Sequence, residues 1–365
     1  MSRCRLLARL NCNFGWSLLR RREYLPFRAL SRVGSGFLEI GYHKSVKLSQ
    51  SSLGPLSPWL IALAAMLWGS DLLLRAKVVS AGWSASYIVL AEHLILTAIF
   101  VIPLWLGRRH LAQLTRRQWA ALAFVGVGGS ALGTWLYTTA FTLDYSRALT
   151  VVLLQKTQPV FALLLAATVL KERRSPVFWG WCVMALFGAC LLVVGDKSFA
   201  LHLHSRLLLE QALLAIAASA LWGAATVVGR PLSVLLPPSL LSGARFALAL
   251  PVLGLLALFA VPPPITARTP EIGVLLLLVA LVPGLLGMSL YYRGLRGTTA
   301  SVATLAELCY PLTSLLIGVV VLHVPMTGSQ WAGLLLLLAA VLALGRQPGL
   351  VVTEKPLREL SPAIP

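Results

Sequence analysis

The feature that most constrains the fold of this chain is an apolar pattern that occurs twice. The recurring residues are Trp68 and Trp222, Tyr137 and Tyr291, Pro159 and Pro311, and Trp179 and Trp331. The first two pairs are 154 residues apart and the last two are 152 apart, so the second copy is two residues shorter in between. Each copy contains five apolar runs of membrane-spanning length. Because five is an odd number, a duplicated unit must enter the bilayer with opposite polarity in its second copy.

The composition indicates a chain that lies largely in lipid. Hydrophobic residues make up 58% of its 365 residues and charged residues 12%, against about 25% charged residues in soluble proteins. We place ten candidate spans at residues 58–74, 85–106, 118–141, 147–170, 177–195, 207–229, 238–261, 272–292, 298–322 and 329–345. Continuous apolar runs favour helices over a β-barrel. The predicted fold is an all-α polytopic membrane protein with ten transmembrane helices arranged as two inverted five-helix repeats.

The placement of charge predicts the orientation of the chain. The net charge is +19, but residues 1–50 hold ten Lys and Arg against two Glu, and the other basic residues are spread over short loops. We therefore expect no nucleic-acid partner. With a cytoplasmic N-terminus, the cytoplasmic loops carry ten Lys and Arg and the external loops four. The positive-inside rule then predicts a multi-pass protein of the cell (inner or plasma) membrane, surrounded by the lipid bilayer, with both termini in the cytoplasm.

The pattern divides the chain into four segments. We predict a basic, disordered extension at 1–57, a first five-helix repeat at 58–195, a second at 207–345 and a disordered cytoplasmic tail at 346–365. The arginine-rich extension also fits a transit peptide, which would place the protein in a plastid membrane, or an upstream start codon chosen in error. The five cysteines of the whole chain form no CxxC pair, and the chain has no GxxxxGK[ST] motif. We accordingly expect no metal, no cofactor and no ATP-driven step.

Several stretches resemble a known family. They are Ala65–Ser70 and Ala218–Ala224 at the start of the repeats, Gln158–Arg173 in the fourth span and its counterpart Thr299–Pro311. The fourth span is the most specific, with a proline near its start and a Leu-x-Glu-Arg corner at its end. Over residues 58–345 the chain resembles the drug/metabolite transporter superfamily, in particular proteins with two EamA repeats. This resemblance implies ten helices in two inverted repeats and the secondary transport or export of a small metabolite.

Two positions depart from the pattern of that family. At an offset of 152, Val324 stands opposite Glu172, so the second repeat lacks the acidic corner. Many members carry arginine in the second helix of the repeat. Here the second copy has Arg245, while the first has Glu92 and His93 at the corresponding place. This exchange is a candidate determinant of the substrate.

Ionisable side chains within spans mark structural pairs or functional sites, because a lone charge in lipid is costly. Asp71 and Arg75 are one helical turn apart, so we expect them to pair with each other near the outer interface. Glu92 and His93 are adjacent and point about 100° apart on a helix, so we expect that they do not both face a narrow cavity. Either residue exchanges a proton during a transport cycle, or one binds a neighbouring helix and the other lines the cavity passively.

Gln155 and Glu307 are equivalent positions of the two repeats at an offset of 152. This equivalence predicts that the fourth and ninth helices face each other across a central cavity. An ion pair between Lys156 and Glu307 across that cavity would neutralise two costly charges. It would act either as a gate that opens when substrate competes or as a permanent bridge. A site that offers one cation and one anion suits a zwitterion such as an amino acid.

Aromatic and small residues complete the candidate site. The repeat-related aromatic residues are Trp68, Trp222, Tyr137 and Tyr291. They either line the cavity or serve helix packing. Gly129 and Gly133 in the third span, and Pro283, Gly284 and Gly287 in the eighth, predict matching segments that bend or allow close helix approach.

The sequence thus predicts a secondary transporter, in the direction of export, of a small metabolite such as an amino acid or a drug-like compound. Alternating access around one site between the repeats is the predicted mechanism, with protons as the coupling ion. We do not expect an enzyme. A passive channel is the alternative, and an intramembrane enzyme is a more remote one. The sequence leaves open whether the protein forms a homodimer.

Overall fold

The computed structural model describes residues 56–143, 151, 154–170, 172, 174–194, 206–310, 313 and 327–345. Within these ranges every regular element is helical. The predicted tail at 346–365, residues 1–55 of the predicted extension and most of the link between the repeats lie outside the described residues. The position of Val324, opposite Glu172 in the sequence, lies outside them as well.

The first repeat is built of helices joined by short turns. They are α1 (Ser57–Ser80), α2 (Ala85–Ile99), α3 (Val101–Ala112), α4 (Arg116–Ala123), a first π segment (Phe124–Leu132), α5 (Gly133–Leu143), α6 (Gln158–Thr168) and α7 (Pro176–Val194). α4, the π segment and α5 form one long apolar helix, Arg116–Leu143. It begins at a capping box, in which the Thr115 side chain accepts from the backbone N–H of Gln118 and the Gln118 side chain accepts from that of Thr115.

The second repeat follows the same order. Its elements are α8 (Arg206–Leu235), α9 (Pro238–Leu258), a 3-10 turn (Ile265–Ala267), α10 (Pro270–Val279), a second π segment (Ala280–Gly287), α11 (Met288–Arg296), α12 (Ala300–Ala306) with a 3-10 turn (Glu307–Cys309), and α13 (Gly328–Gly345). α10, the π segment and α11 form the long helix Pro270–Arg296. Threonine side chains cap α10 and α12 at their N-termini, since Thr269 and Thr299 accept backbone N–H groups there.

Ten apolar helical segments occupy the places of the ten predicted spans. Five are long and apolar enough to cross a bilayer: Ser57–Ser80, Arg116–Leu143, Leu209–Leu235, Pro238–Leu258 and Pro270–Arg296. A sixth crossing is formed if the bent pair α2 and α3 is one span. The other four segments are shorter apolar helices. They lie in α6, in α7, in α12 with its 3-10 turn, and in α13. The helical membrane fold is therefore confirmed, while the count of ten complete spans stays a prediction.

The second predicted span differs from the expected straight helix. α2 and α3 meet at Phe100 and are inclined by 74° to each other. Pro103 lies in the first turn of α3, has no N–H to donate to the carbonyl of Ile99, and crowds that carbonyl with its ring. The break therefore falls one turn before the proline.

The two repeats exchange equivalent contacts. α2 packs against its counterpart α9, and α7 packs against its counterpart α13. α1 packs against the second π segment and α11, and its counterpart α8 packs against the first π segment and α5. Reciprocal contacts of this kind are those that a pseudo-two-fold relation between the repeats produces.

Individual hydrogen bonds obey the same symmetry. The indole Nε1 of Trp68 donates to the carbonyl of Pro283 at 3.0 Å, and that of Trp222 donates to the carbonyl of Gly129 at 2.9 Å. Donors and acceptors alike are 154 residues apart, and both acceptors lie in π segments. The π segments contain Gly129, Pro283, Gly284 and Gly287 of the predicted flexible positions, and Gly133 begins α5. The π-helical geometry is frequent at functional sites.

Loops from both repeats meet at each end of α1. Beyond its C-terminus, the Trp83 side chain donates to the carbonyl of Ala267 at 3.0 Å, and Ser84 donates to that of Val261. Near its N-terminus, Ser57 lies against Gly297, close to the chain that leads into α12. The helices of both repeats thus run between the same two ends of the bundle.

Polarity is reversed relative to a soluble protein. Large apolar side chains such as Ile102, Trp105, Leu164, Val183 and Leu335 are exposed on the outer faces of the helices. Charged side chains instead lie inside, and these buried groups include Arg75, Glu92, Lys156, Glu172, Arg245 and Glu307. Apolar surface outside and charge inside is the arrangement expected when lipid is the solvent.

Candidate functional site

A cavity of about 140 Å³ lies between the two repeats. All ten residues that the sequence singled out line it: Trp68, Glu92, His93, Tyr137, Gln155, Lys156, Trp222, Arg245, Tyr291 and Glu307. They come from spans of both repeats, and the fold brings them to one place.

Two aromatic pairs contribute to the walls of the cavity. Trp68 and Tyr291 have ring centroids 5.2 Å apart at an interplanar angle of 52°, and Trp222 and Tyr137 have centroids 5.3 Å apart at 50°. Each pair joins one repeat to the other. The indole bonds to the π segments hold the tryptophans in place, so these residues both pack helices together and line the cavity.

The predicted pair of Asp71 and Arg75 is part of a larger buried cluster. Arg75 Nε lies 2.8 Å from Asp71 Oδ2, and Arg75 Nη2 lies 3.0 Å from Glu92 Oε2. Nη1 donates to the hydroxyl of Thr138 at 3.2 Å. Arg75 is only 3% exposed and contributes to the cavity wall. One guanidinium therefore bridges two carboxylates.

His93 lies next to Glu92 and also lines the cavity. The expectation that they do not both face the cavity is wrong, because both Glu92 and His93 line it. Nδ1 of His93 bonds the carbonyl of Val89 at 2.9 Å, and its ring packs edge-on against Phe246. Nε2 is buried and has no hydrogen-bond partner among the described residues. Since a carbonyl only accepts, Nδ1 carries a proton and Nε2 of the neutral ring is an acceptor.

The predicted ion pair between Lys156 and Glu307 is not formed. Lys156 Nζ lies over the ring of Tyr310, 3.7 Å from its centroid. Glu307 instead accepts a hydrogen bond from Gln158 Nε2 at 2.5 Å and one from the Thr226 hydroxyl at 3.4 Å. The amide of Gln158 occupies the place beside the carboxylate that the prediction gave to the lysine.

The fourth and ninth helices do face each other, as predicted. Gln155 Nε2 donates to Gln158 Oε1 at 3.0 Å, and Gln158 in turn donates to Glu307. Gln155 and Lys156 lie just before α6, where the chain makes a turn, so the fourth span is not one uninterrupted helix. Gln155, Lys156 and Gln158 of this segment line the cavity.

Arg245 on α9 differs from Arg75 in its partners. Its guanidinium donates to the hydroxyl of Ser130, to the hydroxyl of Tyr292 at 3.1 Å and to the sulfur of Met288 at 3.5 Å. All three partners are uncharged. Among the described residues, no carboxylate lies within 4.0 Å of it.

Sequence reasoning missed several lining residues, among them Gln158, Thr226 and Tyr310. Tyr137 and Tyr310 are joined through their hydroxyls at 3.1 Å, and Thr226 is joined to the hydroxyl of Tyr291 at 2.8 Å. Gln158 and Tyr310 are themselves equivalent positions at an offset of 152. The fixed offset between the repeats could therefore have identified Gln158 and Tyr310 as candidate site residues.

A second polar cluster lies at the corner after α6. The carboxylate of Glu172 accepts from the backbone N–H groups of Ala300 and Ser301 at 3.1 and 3.2 Å, and from the Ser301 hydroxyl. Arg174 donates to Glu172 at 2.7 Å and to the Thr299 hydroxyl at 2.5 Å. The acidic corner of the first repeat thus binds the N-terminus of α12 in the second, where an anion is favoured.

Comparison with known proteins gives two matches to one family model. The model of the EamA-like transporter family matches residues 56–194 and 210–346. The riboflavin transporter ImpX of Fusobacterium nucleatum subsp. nucleatum (strain ATCC 23726 / VPI 4351) is 30% identical in an alignment of 310 residues that covers 79% of this chain and 96% of that protein. The uncharacterized transporter YwfM of Bacillus subtilis (strain 168) is 26% identical in an alignment of 304 residues that covers 79% of this chain and 93% of that protein.

A solved crystal structure has a similar fold. It superposes with a TM-score of 0.63 at 20% sequence identity and covers 80% of this chain and 96% of its own. At that level of identity the likeness concerns the fold alone.

Proposed function

This chain belongs to the EamA-like transporter family, and we propose that it is a secondary transporter that moves one small organic molecule by alternating access. The observation that carries the proposal is the cavity between the repeats, which is lined from both by charged, polar and aromatic side chains. Ionisable groups in a membrane interior are costly and are kept where they face a substrate path. Inverted repeats around such a site are able to open it to either side in turn.

The substrate we propose is a planar aromatic or heterocyclic metabolite with polar groups. The relative from Fusobacterium nucleatum is named as a riboflavin transporter. Two Trp–Tyr pairs in the walls offer flat surfaces to a ring system, and buried polar atoms such as His93 Nε2 and Thr304 Oγ1 have no partner among the described residues. Aromatic amino acids and drug-like compounds share these properties.

Direction and coupling complete the proposal. We propose export, driven by proton exchange. Glu92 and His93 are the candidates to exchange that proton, because both line the cavity. We place the protein in the cytoplasmic membrane with both termini in the cytoplasm, as the distribution of Lys and Arg over its loops predicts.

Transport assays in proteoliposomes test the proposal. A carrier gives saturable riboflavin flux that is accelerated by unlabelled riboflavin on the opposite side, and a proton-coupled carrier loses accumulation when a protonophore is added. Flux that rises linearly with concentration and shows no counterflow would identify a channel instead. A chemically altered product would identify an enzyme. Efflux from preloaded right-side-out vesicles, compared with uptake, decides the direction.

Two substitutions test the cavity as the substrate site. Glu307→Gln and Lys156→Met each remove one charge from the wall, so we expect both to abolish transport while leaving membrane insertion intact. Arg109→Gln is the matched control, since Arg109 is an exposed charge on α3. Normal transport by both cavity variants would remove these two residues from the mechanism.

A further inference from the structure

The cavity contains two arginines, and only one is neutralised. Arg75 makes four hydrogen bonds, of which three go to the carboxylates of Asp71 and Glu92. Arg245 is equally buried, at 6% exposure, yet its described partners are two hydroxyls and a thioether. The same cavity therefore holds an arginine with two anions and an arginine with none.

An uncompensated guanidinium within a bilayer is expensive. Neutral hydroxyls satisfy some of its N–H groups, but no carboxylate among the described residues contacts its charge, and the low dielectric makes such a charge costly. Nη2 of Arg245 makes no hydrogen bond in the described part of the chain. A planar group with free N–H donors directed at a cavity is a receptor for a carboxylate or a phosphate, which it binds through paired charge-assisted hydrogen bonds.

The surroundings of Arg245 hold the group in place for that task. Nε donates to Ser130 in the first π segment, and Nη1 donates to Tyr292 and Met288 on α11, so two of the three guanidinium nitrogens are anchored, one to each repeat. These bonds fix the orientation of the group, and Nη2 remains for a ligand.

We propose that Arg245 is the specificity-determining residue of this transporter and that it binds an anionic group, a carboxylate or a phosphate monoester, on an aromatic substrate. The inference rests on the proposed function, because it assigns the charge of the molecule that the cavity carries. The aromatic part then lies against the Trp–Tyr pairs of the walls, and the anion compensates the charge that the protein leaves open. Arg75 stays structural, since its charge is already balanced.

Binding of matched compounds tests the proposal without requiring transport. Equilibrium dialysis against the purified full-length protein in nanodiscs compares riboflavin with flavin mononucleotide, which differ by a phosphate, and indole-3-acetamide with indole-3-acetate, which differ by a carboxylate. We expect the anionic member of at least one pair to bind roughly tenfold or more tightly than its neutral partner, the size of one lost charged hydrogen-bonding contact. The pair that shows the preference identifies the anion.

Variants assign the preference to one residue. Arg245→Gln should make the two members of the pair bind equally, Arg245→Lys should retain part of the preference, and the exposed Arg109→Gln should leave it unchanged. Lys156→Gln tests a second cation of the cavity and should leave the preference in place. If the preference survives Arg245→Gln, the assignment is wrong, and its loss in Lys156→Gln would transfer the role to Lys156.

The remaining outcomes separate this inference from the proposed function. Equal binding of neutral and anionic partners by the unaltered protein, or no binding of any anionic compound, overturns the inference even if Arg245→Gln fails to fold. Flux restricted to neutral compounds keeps the transporter and rejects the role of Arg245. Arg245-dependent anion binding without any flux keeps the binding site and rejects transport.

Discussion

Gly133 and Gly287 make room for the two indole rings of the cavity wall. A Cβ on Gly287 would lie 2.6 Å from Trp68 Nε1, and one on Gly133 would lie 2.8 Å from Trp222 Nε1. Gly287→Ala therefore has to displace Trp68 and break its bond to the carbonyl of Pro283. We expect the variant to be destabilised by about 1–3 kcal/mol, as for other small-to-large changes in packed interiors. Thermal unfolding of the purified protein in detergent measures the loss.

Gly273→Ala is the control for this substitution. Gly273 belongs to the same long helix, Pro270–Arg296, but no atom lies within 4 Å of a Cβ placed there. The change should be neutral or stabilise by up to about 1 kcal/mol, since alanine favours helix more than glycine does. Equal effects of the two alanines would show that the indole does not depend on the glycine.

Arg75 is the residue whose loss leaves most charge unpaired. Arg75→Gln strands the carboxylates of Asp71 and Glu92 in a buried site, so we expect a loss of about 3–5 kcal/mol in the free energy of unfolding. Adding Glu92→Gln to Arg75→Gln removes one stranded charge and should recover part of that loss. Chemical unfolding of the single and double variants in the same detergent measures the coupling. Strictly additive losses would contradict the ion cluster seen here.

Residues close in sequence were predicted better than residues brought together by the fold. The pairing of Asp71 with Arg75 follows from helical spacing alone. The third member, Glu92, comes from another helix, and nothing in the local pattern connects it with Arg75. The expected pair of Lys156 and Glu307 was wrong because the side chain of Gln158, two residues after Lys156, donates to the carboxylate instead. Charge alone does not decide between a lysine and an amide as the partner.

At the scale of elements, the corner after α6 fastens one repeat to the other. Glu172 is 6% exposed and accepts hydrogen bonds from the first residues of α12 and from Arg174. Glu172→Gln removes its charge while keeping its shape, so the charged character of these bonds is lost. We expect a loss of about 1.5–3 kcal/mol in stability, the range for hydrogen bonds to charged groups. Differential scanning fluorimetry of the purified variant provides the measurement.

Glu210→Gln controls for the loss of a glutamate. Glu210 pairs with Arg206 at 3.3 Å on the surface of α8, with side-chain exposures of 48% and 92%. An exposed pair of this spacing contributes less than about 0.5 kcal/mol. A loss in Glu172→Gln no larger than in Glu210→Gln would mean that the corner does not hold the repeats together.

The internal geometry of the elements was only partly predictable. Glycine and proline marked the π segments as irregular, but the pattern of apolar residues does not distinguish a π-helix from a bend. The 74° break at Phe100 was missed because α2 and α3 together read as one apolar run. A proline near a span end fits both a straight helix that begins there and a break one turn earlier.

At the scale of the whole molecule, the duplication predicted most of the architecture, since equivalent positions were readable at fixed offsets. The contacts between repeats, such as those of α1 with the second π segment, follow from the two-fold relation once it is known. The contents of the cavity do not, because Arg245 and Glu92 break the symmetry. The two-fold relation therefore predicts how the helices are arranged. The positions that differ between the repeats determine which charged groups line the cavity.

The contacts of the loops give a test of the membrane orientation. The turn after α1 meets the turn after α9 through Trp83 and Ala267, and the sequence predicts both turns to be external. At the other end, Arg174 in the turn after α6 meets Thr299 in the turn after α11, and both turns are predicted to be cytoplasmic. Loops that touch must lie on the same side of the bilayer, and these contacts obey that condition.

Single cysteines introduced into a variant without native cysteines measure the orientation directly. Cysteines at Ser80 and Arg268 should react with a membrane-impermeant maleimide on intact cells, because both positions lie at the predicted external end. Cysteines at Arg109 and Arg296 should react only after the membrane is permeabilised. The opposite result at all four positions would invert the protein in the membrane and keep the fold. Labelling of Ser80 and Arg268 from different sides would contradict the two-fold arrangement itself, because the loops that carry them are in contact.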